Sequence, residues 1–76
     1  MEDLKYTTTD LYLSAFLKTS GHRLSVVKAK NKFVFSFEET PELIKLVNNY
    51  LMDSATCNPL AYANSIKNIK NLLHNL

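Results

Sequence analysis

Phe33, Phe35 and Phe37 alternate with Val34 and Ser36, and no other stretch of the chain restricts the fold as sharply. A period of two puts the three rings on one side of an extended strand, where only a core can absorb them. β-Branched Val26 and Val27 come before this run, with Lys30-Asn31 as the turn between, so Leu24 to Phe37 reads as a β-hairpin. A two-residue loop opposes Leu24/Phe37, Val26/Phe35 and Lys28/Phe33 on one face, and Ser25/Ser36, Val27/Val34 and Ala29/Lys32 on the other. The large apolar groups gather on the first face. This is the pattern of a two-stranded sheet covered by helices on one side only.

An isolated hairpin is marginal in water, so the flanking segments must supply that cover. The 76 residues include one glycine and two prolines, and this scarcity makes Gly21, Pro41 and Pro59 boundary marks. Thr7 and Asp10 have the spacing of a capping box, and the pairs Leu11/Ala15, Tyr12/Phe16 and Leu13/Leu17 predict a central helix that Gly21 ends. Thr40-Pro41-Glu42 starts a second helix, with Leu43, Ile44, Leu46, Val47, Tyr50 and Leu51 as its stripe and an end near Met52 or Asp53. Asn58-Pro59 starts a third that runs nearly to Leu76, with Tyr62, Ile66, Ile69, Leu73 and Leu76 on its apolar side. The expected fold is α+β: helix, two-stranded antiparallel hairpin, helix, helix, in a single domain over residues 1–76 with one core.

An apolar fraction of 46% excludes intrinsic disorder. A chain this short buries only roughly 60% of its unfolded surface, which leaves a homodimer open. Glu2 and Asp3 stand where a secretion signal carries positive charge, and no apolar run nears the roughly 20 residues of a membrane span. Cys57 is the single cysteine, so no internal disulfide forms. A cytoplasmic protein without membrane contact is expected.

No reaction chemistry is predicted. Two His and one Cys do not complete a structural zinc site, and neither His has a second ligand at helical spacing. Cys57 reads as a buried or half-buried connector thiol. Asp10, Glu38, Glu39 and Glu42 are accounted for by helix starts. A glycine-rich phosphate loop cannot be built around Gly21 alone. The chain therefore reads as a non-enzyme with no catalytic residue, cofactor or metal.

The formal charge is +2, but its distribution is uneven: no acidic residue lies between Asp10 and Glu38, while Lys18, Arg23, Lys28, Lys30 and Lys32 do. A basic ribbon of this kind can lie along a phosphate backbone. Lysines on sheet edges also block unwanted pairing with other chains, and the weak overall charge favours that reading. The third helix repeats the ambiguity, because its Asn-rich side with Lys67 and Lys70 could contact nucleic acid or simply be wet. Arg23, Lys28, Lys30, Lys32, Lys67 and Lys70 are accordingly the candidate binding residues. Spacing puts Tyr12, Tyr50 and Tyr62 on core-facing stripes; Tyr6 is either free for contact or staples the first helix.

Tyr6-Thr7-Thr8-Thr9-Asp10-Leu11-Tyr12-Leu13-Ser14-Ala15-Phe16-Leu17, Gly21-His22, Phe33 to Phe37, and Asn58-Pro59-Leu60-Ala61-Tyr62-Ala63-Asn64 resemble a family of uncharacterised small proteins from bacteria and their phages. The similarity runs over nearly the whole chain. Ser14 departs from the alanine expected in the opening motif. The resemblance implies a gene of phages and mobile elements, whose small products often bind a host macromolecule such as a CRISPR-type defence nuclease. It carries over no functional residue. The expected function is binding to a host protein or protein–nucleic acid complex, with direct nucleic-acid binding as the alternative.

Overall fold

A computed structural model describes residues 4–76, so Glu2 and Asp3, on which the expectation about secretion rests, lie outside the described residues. The elements run β1 (Lys5–Thr8), α1 (Leu11–Thr19), β2 (Ser25–Ala29), β3 (Lys32–Glu38), α2 (Pro41–Leu51) and α3 (Pro59–His74). The architecture is α+β, with three helices against a three-stranded antiparallel sheet of order β1-β3-β2.

The hairpin register follows the sequence pairing across Ser25↔Ser36, Val26↔Phe35, Val27↔Val34, Lys28↔Phe33 and Ala29↔Lys32. The expected two-stranded sheet is corrected by β1, which pairs with the other edge of β3 from Lys5↔Glu38 to Thr8↔Phe35. Tyr6 and the β-branched Thr7 and Thr8 suit a pleated surface. Pairing also satisfies backbone groups of β3 that a lone hairpin would leave open. The helix cap shifts accordingly. Asp10, not Thr7, caps α1, its carboxylate accepting from the N–H groups of Tyr12 and Leu13 at 2.9 and 3.1 Å.

The inner sheet face carries Phe35 and Phe37, both buried, with Phe33, Val26 and Tyr6 packed partly buried around them. Leu13, Ala15, Phe16 and Leu17 of α1, Leu43 and Val47 of α2, and Ile69 of α3 complete one core. Val27 on the opposite face is 60% exposed, so the sheet is covered on one side only, as its alternation requires. Among the described residues no buried side-chain nitrogen or oxygen lacks a partner: Ser14 and Ser65 are buried, and both hydroxyls are hydrogen-bonded.

Two helices end in the same backbone motif. At the end of α1, His22 N–H donates to the Leu17 carbonyl and Gly21 N–H to that of Lys18, with Gly21 at φ +100°. At the end of α2, Ser54 N–H reaches the Asn49 carbonyl and Asp53 N–H that of Tyr50, with Asp53 at φ +58°. The Thr40-Pro41 and Asn58-Pro59 starts are observed, each cap side chain accepting from the N–H three residues on.

Candidate functional site

The turn that ends α1 delivers His22 and Arg23 to the start of β2, at the edge of a polar cleft of about 380 Å³. Lys5 enters from β1, held opposite Glu38 by the β1–β3 ladder. Ser36 of β3 lies between Thr7 and Ser25 of the two neighbouring strands, and Ser25 and Ser36 both line the cleft. Thr40, the cap of α2, closes it; its hydroxyl oxygen already accepts from the Leu43 N–H at 3.1 Å, which leaves the hydroxyl hydrogen to donate elsewhere. Among the described residues the Ser25 and Ser36 hydroxyls have no hydrogen-bond partner. Behind the loop, Lys18 and Leu72 flank Arg23 in a second shallow groove.

At the opposite end of α1 the three helices meet. Phe16 and Tyr50 stack with ring centroids 5.8 Å apart, and the Tyr62 hydroxyl donates to the Tyr12 carbonyl at 3.2 Å. Burial pushes the pKa of the Tyr50 phenol up, the Asp10 carboxylate adds to the rise, and a hydrogen bond with Tyr62 opposes it. Tyr62 is raised by burial first, then by Tyr50, Cys57, Asp10 and Tyr12. The same end exposes large apolar side chains: Tyr12 at 50%, Leu51 at 70%, Met52 at 74% and Leu60 at 71%. Asp10 and Asp53, both exposed, stand among them.

Two expectations are corrected here. Tyr12 is half exposed and not a core residue: it shares the face of buried Phe16 but lies one turn nearer the start of α1, past the cover that the core provides. Cys57 is exposed, since the connector between α2 and α3 loops over the surface instead of into the core. Tyr50 and Tyr62 are half-buried, and Tyr6 packs against the core.

The six basic candidates fall into groups and do not come together: Lys30 and Lys32 share a shallow groove at the hairpin turn, and Lys67 and Lys70 are neighbours on α3. Arg23 and Lys30 lie beyond opposite ends of β2, roughly 20 Å apart along the strand. Lys28 sits on the inner-face side with its ammonium 5.8 Å from the Phe33 ring centroid, whereas Lys32 pairs with Ala29 on the outer face. Lys67 and Lys70 are exposed on α3, roughly 140–160° round that helix from Leu72, which faces Arg23. The fold instead gathers Lys5 and His22 around Arg23. Spacing could not find Lys5, because it reaches the cleft only through a strand whose partner lies about 30 residues on.

Among the described residues no group of three or more His, Cys, Asp or Glu is placed to hold a metal ion, and no helix is long and apolar enough to cross a membrane.

A helical layer on one face of a small antiparallel sheet, with a polar cleft at one end and exposed apolar side chains at the other, makes a small α+β domain. The chain belongs to a family described as a domain of unknown function (DUF5659), whose profile matches residues 3–75. No curated protein and no solved structure matches it.

Proposed function

We propose that this protein is a non-enzymatic binding module that engages a partner protein through the helical end bearing Tyr12, Leu51, Met52 and Leu60. The observation that carries the proposal is the exposure of these four large apolar side chains where α1 begins, α2 ends and α3 begins. Single exposed apolar residues are ordinary, but several at one end of so small a domain are the usual mark of a protein interface. Asp10 and Asp53 make its rim acidic, so the complementary partner surface is apolar at its centre and basic at its edge.

The partner class is a host protein complex of the defence-nuclease type, with CRISPR effectors as the leading case. This choice rests on the resemblance of the Tyr6 to Leu13 motif to small proteins of phages and mobile elements. The nucleic-acid alternative has weaker support: Lys30 and Lys32 share the hairpin turn, but Lys28 leans over Phe33 on the inner-face side and Lys67 and Lys70 lie on α3, so the lysines form separate groups instead of one track.

The test is affinity capture from a host lysate with the native chain and with a Leu51→Gln, Met52→Gln, Leu60→Gln variant. The partner is then purified and its affinity measured by calorimetry. A single protein complex bound by the native chain, with affinity down at least ~100-fold in the variant, is expected. A variant that keeps full affinity overturns the placement of the interface. Capture of nucleic acid alone overturns the class.

A further inference from the structure

We propose that the cleft beside Gly21 is a binding site for a small phosphate monoester carried on a polyol, such as a sugar phosphate. Its position at the opposite end of α1 from the apolar surface makes this independent of the partner-protein reading.

Cations and hydroxyl donors converge there from four separate segments. Arg23 and Lys5, both exposed, and the half-buried His22 line the cleft, with Lys5 opposite Glu38 across the β1–β3 ladder. Arginine presents its N–H groups as a planar fork that matches two phosphate oxygens, and lysine adds a point charge. Ser25, exposed, and Ser36 and Thr40, half-buried, bring their hydroxyls to the same cleft. Each has a hydrogen to give: Thr40 because its oxygen alone is used in capping Leu43, and the two serines because no described residue engages them. A phosphate with three terminal oxygens can use this many donors, whereas a carboxylate with two cannot.

The rest of the lining selects the body of the ligand. Glu38 is the one carboxylate of the wall and offers acceptors only, which suits the hydroxyl groups of a polyol. Phe37 is the one aromatic residue of the wall, but it is 1% exposed, so its ring offers a nucleobase no face for stacking. A volume of about 380 Å³ is too large for phosphate alone and lies at the small end of ligand pockets.

The site is tested by titrating the full chain with glycerol phosphate, inorganic phosphate, AMP and acetate, and following backbone amide resonances by NMR. Glycerol phosphate should saturate below roughly 10 mM, with shifts confined to Lys5, residues 21–25 and residues 36–40. Arg23→Gln should weaken it at least ~10-fold, and Lys67→Gln, an equal loss of charge on α3, should leave it unchanged. Both residues are exposed, so both variants fold; Lys5→Gln provides a second reading of the same site. Absence of localised shifts overturns the proposal. So does an equal loss in Lys67→Gln, which would mean diffuse charge attraction. An equal response to acetate overturns the phosphate class, and tighter binding of AMP than of glycerol phosphate overturns the polyol.

Discussion

The hydroxyl of Tyr62 donates to the main-chain carbonyl of Tyr12 at 3.2 Å, tying the first turn of α3 to the first turn of α1. Both elements start there, fifty residues apart in the chain, and this bond sits where the Phe16–Tyr50 stack also closes the helical layer. Tyr62→Phe keeps the ring and removes only the donor. A loss of about 1 kcal/mol is expected in urea unfolding, with an unchanged slope. A neutral result would mean that water replaces the bond without cost.

Tyr50 and Tyr62 make the fold sensitive to alkali. In the unfolded chain both phenols ionise near 10.0, and in the fold both are raised, first by burial. A raised folded value favours the neutral form in the native state, so this contribution is fully present below the unfolded value and is lost as pH climbs through the folded ones. Stability measured by denaturant should therefore decline above about pH 10, and less steeply in Tyr50→Phe and Tyr62→Phe. A decline of equal steepness in both variants would place its cause elsewhere.

Backbone conformation predicts one loss and two gains. Lys30 and Asp53 hold φ of 55° and 58°, a region that disfavours side chains with a Cβ by roughly 1–2 kcal/mol. Lys30→Gly and Asp53→Gly should each stabilise by about 0.5–1 kcal/mol, the remainder being lost to the greater freedom of unfolded glycine. Gly21→Ala should cost about 1–2 kcal/mol. No atom lies within 4 Å of the added methyl, so its φ of +100° is the whole penalty. Thermal unfolding of the three variants resolves these signs.

The two buried serines should answer differently to alanine. Ser14 Oγ donates to the Asp10 carbonyl at 2.8 Å, but that oxygen also receives the Ser14 N–H at 3.1 Å, so Ser14→Ala orphans nothing. A change below about 0.5 kcal/mol is expected, which accords with a position where alanine also fits. Ser65 Oγ lies 2.9 Å from Thr19 Oγ1, whose own hydrogen goes to the Ala15 carbonyl at 2.7 Å. Ser65 is then the donor, and its loss removes a link between α1 and α3. Ser65→Ala should cost about 1 kcal/mol by the same unfolding measurement.

Tyr6 tests whether β1 is an integral strand. It pairs with Phe37 and packs half-buried on the core, so Tyr6→Ala should destabilise by about 2 kcal/mol and speed amide exchange along the outer edge of β3. Unchanged protection of residues 35–38 would show that β3 holds its edge without β1.

The order of residues was enough to determine the β2–β3 ladder, the two Thr/Asn-Pro helix starts and the Gly21 stop. Each depends on alternation or capping within a few residues, so its energy is local. The core face of β3 was legible for the same reason, because alternation alone puts Phe33, Phe35 and Phe37 on one face. Tertiary structure alone decided the rest. Thr7 and Thr8 read as a helix cap until a free edge of β3 is there to pair with them, and no short-range pattern announces that edge. Tyr12 and Leu51 continue apolar stripes beyond the area that a core this small can cover, so periodicity gives their direction but not their exposure. The basic residues follow the same rule. Their signs are plain in the sequence, yet Lys5 comes to line the same cleft as Arg23, and Lys28 parts from Lys32, only because strand pairing and side-chain alternation fix positions that charge alone does not.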